Sequence, residues 1–211
     1  MTRFAVVEDC LFCNIQSVPA ENLPWHDRPL ARVPGVGGVI AGLGAFVPGY
    51  VLVFPEQHVE SALRIRQETS DAFEDLIQRT VGAIQSAFGP PTIFEHGSCS
   101  GAGVRRSACL DHAHIHILPG SYDLRSHVTS PCESQDRSVN ERTLDGAGYL
   151  FLHEPMMRPV YGHDPGMSQF FRRQIATTLG IPDEWDYLLF PRLENVVQTI
   201  QHFKIALLGP V

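Results

Sequence analysis

The chain has 211 residues, 44% of them hydrophobic and 18% charged, and its 16 basic against 23 acidic side chains give a formal charge of −7. Such proportions suit an ordinary globular protein with one generous core, or a domain of roughly 130–150 residues carrying an extension. The acidic balance argues against bulk electrostatic capture of nucleic acid, and the lack of a run of about 18 apolar residues or of a signal-peptide pattern makes a soluble, cytoplasmic, membrane-free protein the expectation.

In chain order, the first feature is Cys10-Leu11-Phe12-Cys13, a C-x2-C spacing in a chain with an odd set of five cysteines. In an intracellular setting that spacing points to metal or redox chemistry before structural disulfides. Between 14 and 36, Pro19, Pro24, Pro29 and Pro34 predict irregular chain with short strands at most. Residues 37–55 read as two strands joined through Pro48-Gly49, and the second, YVLVFP, is apolar on both sides and therefore central. Phe73, Leu76, Ile77, Val81, Ile84 and Phe88 recur at three- and four-residue steps, which predicts a long core-covering helix over 68–88, stopped by Gly89-Pro90-Pro91.

A short strand at 92–95 then leads through a glycine-rich loop into 112-HAHIHIL-118. A strand sends alternate residues to one face, so His112, His114 and His116 line one side while Ala113, Ile115 and Ile117 line the other. Beyond 120 the chain is polar to about 147, followed by a strand at 148–153 and helices at 167–179 and 193–205. No internal repeat interrupts this order. The pattern predicts an α+β protein.

Two soft ligands at C-x2-C are half of a zinc site, which needs four ligands from Cys and His. The missing pair has to come from distant histidines, and His58, after the central strand, and His112 are suitable because strand ends converge; two buried, unligated cysteines are the alternative. Three imidazoles on one face fit either nucleophilic catalysis at phosphorus or a metal site made of all three. Composition and spacing leave that choice open.

At these residues the sequence resembles the histidine-triad family. The run His112-Ala113-His114-Ile115-His116-Ile117-Leu118 is similar to its His-φ-His-φ-His-φ-φ signature, where φ is apolar. The stretch 9-DCLFCNI-15 resembles the C-I-F-C-K-I segment of bacterial members, 48-PGYVLVFPEQHVES-61 resembles their G-H-x-L-V-x-P-K-x-H segment, and the 68–88 helix falls where the family's long helix does. The resemblance spans residues 9–120. It implies an antiparallel sheet with a long helix, a catalytic domain over 1–120, and an α/β extension over 121–211 packed on the same core. It further implies a structural zinc on Cys10, Cys13, His58 and His112. His114 would be the nucleophile that takes a nucleotidyl group, His116 would bond near the phosphate or leaving group, and the protein would be a homodimer.

The expected substrate is a nucleotide conjugate or dinucleoside polyphosphate, with hydrolysis favoured because transferase relatives usually carry Gln in place of the third histidine. A nucleotidyltransferase and a zinc-stabilised nucleotide-binding module without turnover are the rival readings. Phosphate contacts are expected from Arg105, Arg106 and the loop amides. Cys109 stands where relatives place a small hydroxyl residue, and Glu95, which opens the stretch that replaces their Asn-x-Gly, is either a contact to a sugar or to the partner groups of His114, or a buried, hydrogen-bonded carboxylate without a catalytic role. Gly42 stands where many members hold the ribose with an acid. In the tail, Gln169, Arg172 and Arg173 at the start of a helix are either further anion contacts or part of a surface helix that packs Phe170 and Phe171 into the core and leaves its arginines in solvent, and Trp185 and Tyr187 are aromatic platforms for a base or, more simply, packing residues.

Overall fold

The computed structural model describes residues 10–97, 111–128 and 148–207, with side chains to residue 203. Seven strands make one antiparallel sheet: β1 (Ala31–Val33), β2 (Gly37–Ala41), β3 (Val51–Pro55), β4 (Pro91–Gly97), β5 (Ile115–Pro119), β6 (Tyr149–His153) and β7 (Val160–His163). Their spatial order is β1-β2-β3-β5-β4-β6-β7. With the helices α1 (Leu11–Ser17), α2 (Gln67–Phe88), α3 (Phe170–Thr178) and α4 (Leu193–Leu207), this is an α+β fold. No helix among the described residues is long and apolar enough to cross a membrane.

The period of two along each strand creates two different faces. Val51, Val53, Ile93, Ile115 and Ile117 point to one side, where Phe73, Leu76, Ile77 and Ile84 of α2 cover them. On the other side Phe94, Leu118, Leu150 and Leu152 pack with Phe170, Phe171 and Ile175 of α3. Helix α4 joins both, with Val196 in the second cluster and Phe203 in the first. Strand β6 pairs along β4 from Ile93↔His153 to Gly97↔Tyr149, so chain beyond residue 120 extends the same sheet and lies over the face that carries the histidines.

Sequence patterning locates most elements but misplaces several ends. Helix α2 runs as expected and stops at Gly89, whose φ of 94° suits a residue without Cβ. Strand β2 ends at Ala41 where the pattern suggests strand to 46, because the chain turns through Gly42 and Gly44. Strand β5 begins at Ile115, three residues into the histidine run; its ladder with β3 starts at Val53↔Ile115, and His112 is held by side-chain and carbonyl contacts instead. Helix α3 starts at Phe170 because Gln169 is left-handed, with φ 54°. Two elements are not legible in the sequence: α1, two turns without a side-chain cap, and β7, interrupted by Gly162 and framed by Pro159 and Pro165.

Candidate active site and metal centre

Four ligand atoms converge where α1, the turn after β3 and the approach to β5 meet. Cys10 precedes α1 and Cys13 lies in its first turn, and their sulfurs, with His58 and His112, lie within 4.8 Å of one another. Cys10 Sγ is 3.4 Å and Cys13 Sγ 3.7 Å from His112 Nδ1, and Cys13 Sγ is 3.4 Å from His58 Nδ1. The sulfur–nitrogen edge of a tetrahedral zinc site is about 3.5 Å for bonds of about 2.3 and 2.05 Å, so these side chains fit such an ion. His112 Nε2–H donates to the Pro55 carbonyl at 2.8 Å, which leaves the Nδ1 lone pair towards the sulfurs. Phe12 and Phe54 wall the cluster with edge contacts to His112. Burial holds this imidazole's pKa down to about 4, keeping it neutral as a ligand must be.

His114 and His116 open instead onto a cavity of about 110 Å³. His114 Nδ1–H donates to the His112 carbonyl at 2.8 Å, and because neutral imidazole carries one proton, the lone pair is on Nε2. His116 stacks on Phe94 with ring centroids 4.4 Å apart, and its Nδ1 shares a 2.5 Å hydrogen bond with the Tyr50 hydroxyl. Burial lowers the pKa of both rings. Neighbouring imidazoles add to the effect, and Arg172 acts further on His116, which is held well below the ordinary value. Both rings are therefore neutral near pH 7, the form in which imidazole is a nucleophile.

The other expected contacts separate. Gln169 and Arg172 line this cavity with Phe170 and Phe171, at the start of α3. Arg173 does not; its guanidinium lies 3.4 Å above the Trp185 ring and its Nε donates to the Ser168 carbonyl, so Trp185 is a packing residue here. Tyr187 does line the cavity. Glu95 is on the opposite face of β4, where it accepts from the Tyr149 hydroxyl and, at 2.8 Å, from the Ala62 amide. Period-two alternation turns it away from Phe94 and His116, and its place on the cavity is taken by the next residue, His96. Arg105, Arg106 and Cys109 lie outside the described residues.

Three side chains were missed in the sequence. Tyr50 fills the space beside Gly42: a Cβ on Gly42 would meet the Tyr50 ring at 2.6 Å, so a side chain there and this tyrosine exclude each other. His96 donates from Nε2 to Asp164 Oδ1 at 2.9 Å, a pair that joins β4 to the chain after β7. Asp27 contributes to the cavity wall. Nothing local in the sequence places His96 on this face or pairs it with Asp164.

Fold and site define an α+β protein with a histidine-lined cavity beside a Cys2His2 cluster. No protein-family model and no curated protein matches the chain. Among solved structures it is similar to a HIT-like protein involved in cell-cycle regulation from Bartonella henselae, at 18% identity over 55% of this chain and 82% of that one, with a TM-score of 0.42. It is likewise similar to a zinc-bound histidine-triad family protein from Mycobacterium smegmatis (20% identity, 56% and 78% covered, TM-score 0.40). A third is a HIT family hydrolase from Clostridium thermocellum (19% identity, 54% and 92% covered, TM-score 0.38).

Proposed function

We propose that the protein is a nucleotide hydrolase that works through a nucleotidyl-histidine on His114. The observation that carries this reading is the tautomer: with Nδ1–H bonded to the His112 carbonyl, the reactive lone pair is on Nε2 of a ring that lines the cavity. In the first step Nε2 attacks the α-phosphorus of a nucleotide conjugate. An N–P bond forms, the bond from phosphorus to the leaving group breaks, and its electron pair departs with that group. In the second step water attacks the same phosphorus and gives up a proton by way of His116 to solvent, the N–P electrons return to Nε2, and a nucleoside monophosphate leaves. His116, oriented by Tyr50 and Phe94, bonds at the leaving atom or the entering water.

Zinc on Cys10, Cys13, His58 and His112 would be structural, since four protein ligands leave no open coordination position. It would fix the backbone whose carbonyl orients His114. A catalytic unit over 1–120 with an extension over 121–211, a homodimer and a cytoplasmic location belong to the same proposal. With β4 covered by β6, the outermost strands among the described residues are β1 and β7. Light scattering tests the dimer.

Intact-protein mass spectrometry after a brief acid quench with a panel of nucleotide conjugates tests the mechanism. A nucleotide-sized adduct on the wild type that is absent from His114→Ala supports the reading. Tight nucleotide binding without adduct or product would leave a binding module in its place. Added phosphate or sugar phosphate that captures the nucleotide in place of water would make the protein a transferase.

A further inference from the structure

His96 lines the cavity that also holds His114 and His116. The ladder of β4 with β5 ends at Phe94↔His116, and one further step of that register sets His96 alongside His114. Period-two alternation turns Phe94 and His96 to the same side of β4, so one residue stacks on His116 and the next on that face stands by the nucleophile. A charge on His96 is among the influences that lower the pKa of both triad rings, as its place between them and Asp164 requires.

The chain after β7 places a carboxylate on the far nitrogen of this ring. Asp164 Oδ1 lies 2.9 Å from His96 Nε2 and also accepts from the Gly166 amide at 2.8 Å. The Asp164 amide donates to the Gly148 carbonyl at 3.1 Å, and a Cβ on Gly148 would stand 2.6 Å from Asp164 Oδ2, so a residue without one makes room for the carboxylate. Both side chains are shielded, 10% and 14% exposed. The pair is not needed to join the strands. Strand β6 already ladders along β4 from Ile93↔His153 to Gly97↔Tyr149, and β7 along β6 from Tyr149↔His163 to Leu152↔Val160. A shielded ion pair is seldom more stabilising than apolar side chains of the same volume, so stability alone gives no reason for one in the wall of a cavity. With Nε2 committed to Asp164, proton transfer by this ring falls to Nδ1.

We propose that His96 is a further catalytic residue, the general acid that protonates the leaving group, and that Asp164 is its positioning residue. This rests on the nucleotidyl-histidine reading and adds a proton donor to its first step. As Nε2 of His114 bonds to the α-phosphorus, the bond from phosphorus to the leaving atom breaks and its electron pair stays on that atom. Protonated His96 gives the pair its Nδ1 proton while Nε2–H stays on Asp164, whose charge balances the imidazolium before transfer. The leaving group departs neutral, and so does the ring. In the second step water releases a proton by way of His116 to solvent, and His96 regains one from solvent, so the two steps together add one water across the bond. A nucleophile that precedes residue 120 thus works with an acid that a carboxylate beyond it holds in place.

The test compares, on the zinc-loaded full chain, two nucleoside 5′-phosphate esters of each common base that are alike in size and differ in the basicity of the leaving oxygen: the phenyl and the 4-nitrophenyl ester. Phenolate needs a proton as it leaves, and nitrophenolate is stable without one. In His96→Gln we expect kcat/KM for the phenyl ester to fall on the order of 100-fold and that for the nitrophenyl ester by less than about threefold. The nitrophenyl ester also reports the folded, competent fraction of the same preparation. Equal losses on both esters, or no loss on either, overturn the proposal. Asp164→Asn is the second variant, since its amide oxygen still accepts from Nε2–H but carries no charge. It should show the same split between the esters, smaller in size; an equal loss on both would make Asp164 a clip between strands and remove its positioning role. A nucleotidyl adduct on His114 that forms from both esters without the split sinks this inference alone. No adduct from either ester or from the panel of nucleotide conjugates sinks the nucleotidyl-histidine reading with it.

Discussion

The two faces of the central sheet each hold a cavity with a titratable group in its wall, and the larger one, about 520 Å³ against about 110 Å³, is not the one with the histidines. On the α2 face Glu95 has both carboxyl oxygens engaged, one by Tyr149 and one by the Ala62 amide, and burial raises its pKa to about 7. On the opposite face the Nε2 lone pair of His114 is not used by the bond that orients its ring, and Arg172 Nη1 has no acceptor among the described residues. Volume does not separate the two. Chemistry is expected where bonding capacity is left over, and a polar group whose capacity is spent serves the fold.

The sharpest way to break this comparison is His114→Ala. It should abolish the adduct and lower kcat by about 10⁴-fold or more, with little change in Tm. Since the reactive imidazole is the neutral form and the pKa of His114 is lowered, the acid limb of the wild-type rate profile should lie below the ordinary histidine value of 6.5. A limb above that value would contradict the environment described here. Next in size is metal loss. Cys13→Ser, or a strong chelator, should cost about 3 kcal/mol or more of stability, roughly 10 °C in Tm, and zinc should restore the chelated protein but not the variant. If neither treatment moves Tm, the four residues do not hold a structural ion.

A smaller effect is expected from Tyr50→Phe, which keeps the ring beside Gly42 and removes only the hydroxyl on His116. Its kcat should fall roughly tenfold with KM nearly unchanged; a change in KM alone would assign Tyr50 to binding. On activity the smallest effect belongs to the other face, where Glu95→Gln should leave kcat within about twofold. Its signature lies in stability. A carboxyl whose folded pKa of about 7 exceeds its ordinary value of 4.5 contributes stability that is fully present below pH 4.5 and is lost as pH rises through 7. Tm scans between pH 4.5 and 8 should therefore show a decline in the wild type that is shallower in Glu95→Gln. An equally steep decline in both would place its origin elsewhere.

The Cys2His2 cluster was legible to the extent that its members carry distinctive spacing. Cys10 and Cys13 stand at C-x2-C, His112 opens an alternation, and His58 closes a segment that resembles one in known proteins. The face of Glu95 was not legible, because a one-residue choice of register reverses every side chain in a strand and the glycine-rich loop after β4 gives no count across it. Arg172 and Arg173 show the same limit on a helix. Adjacent and chemically alike, they take opposite roles because about 100° of rotation sends one into the cavity and the other over Trp185.

By itself the sequence determined the local matters: the long amphipathic helix, the central apolar strands, the alternation of the histidines and the C-x2-C pair. Each depends on periodicity or spacing within a few residues, which the backbone geometry of one element enforces. Tertiary structure alone decided that Tyr50 occupies the space beside Gly42, that Asp164 meets His96, and that Gly44 and Trp185 seat Arg172 next to the triad. Those are contacts between elements far apart in the chain. They follow from the order in which strands pair and from which faces remain to be covered, and no local pattern encodes either.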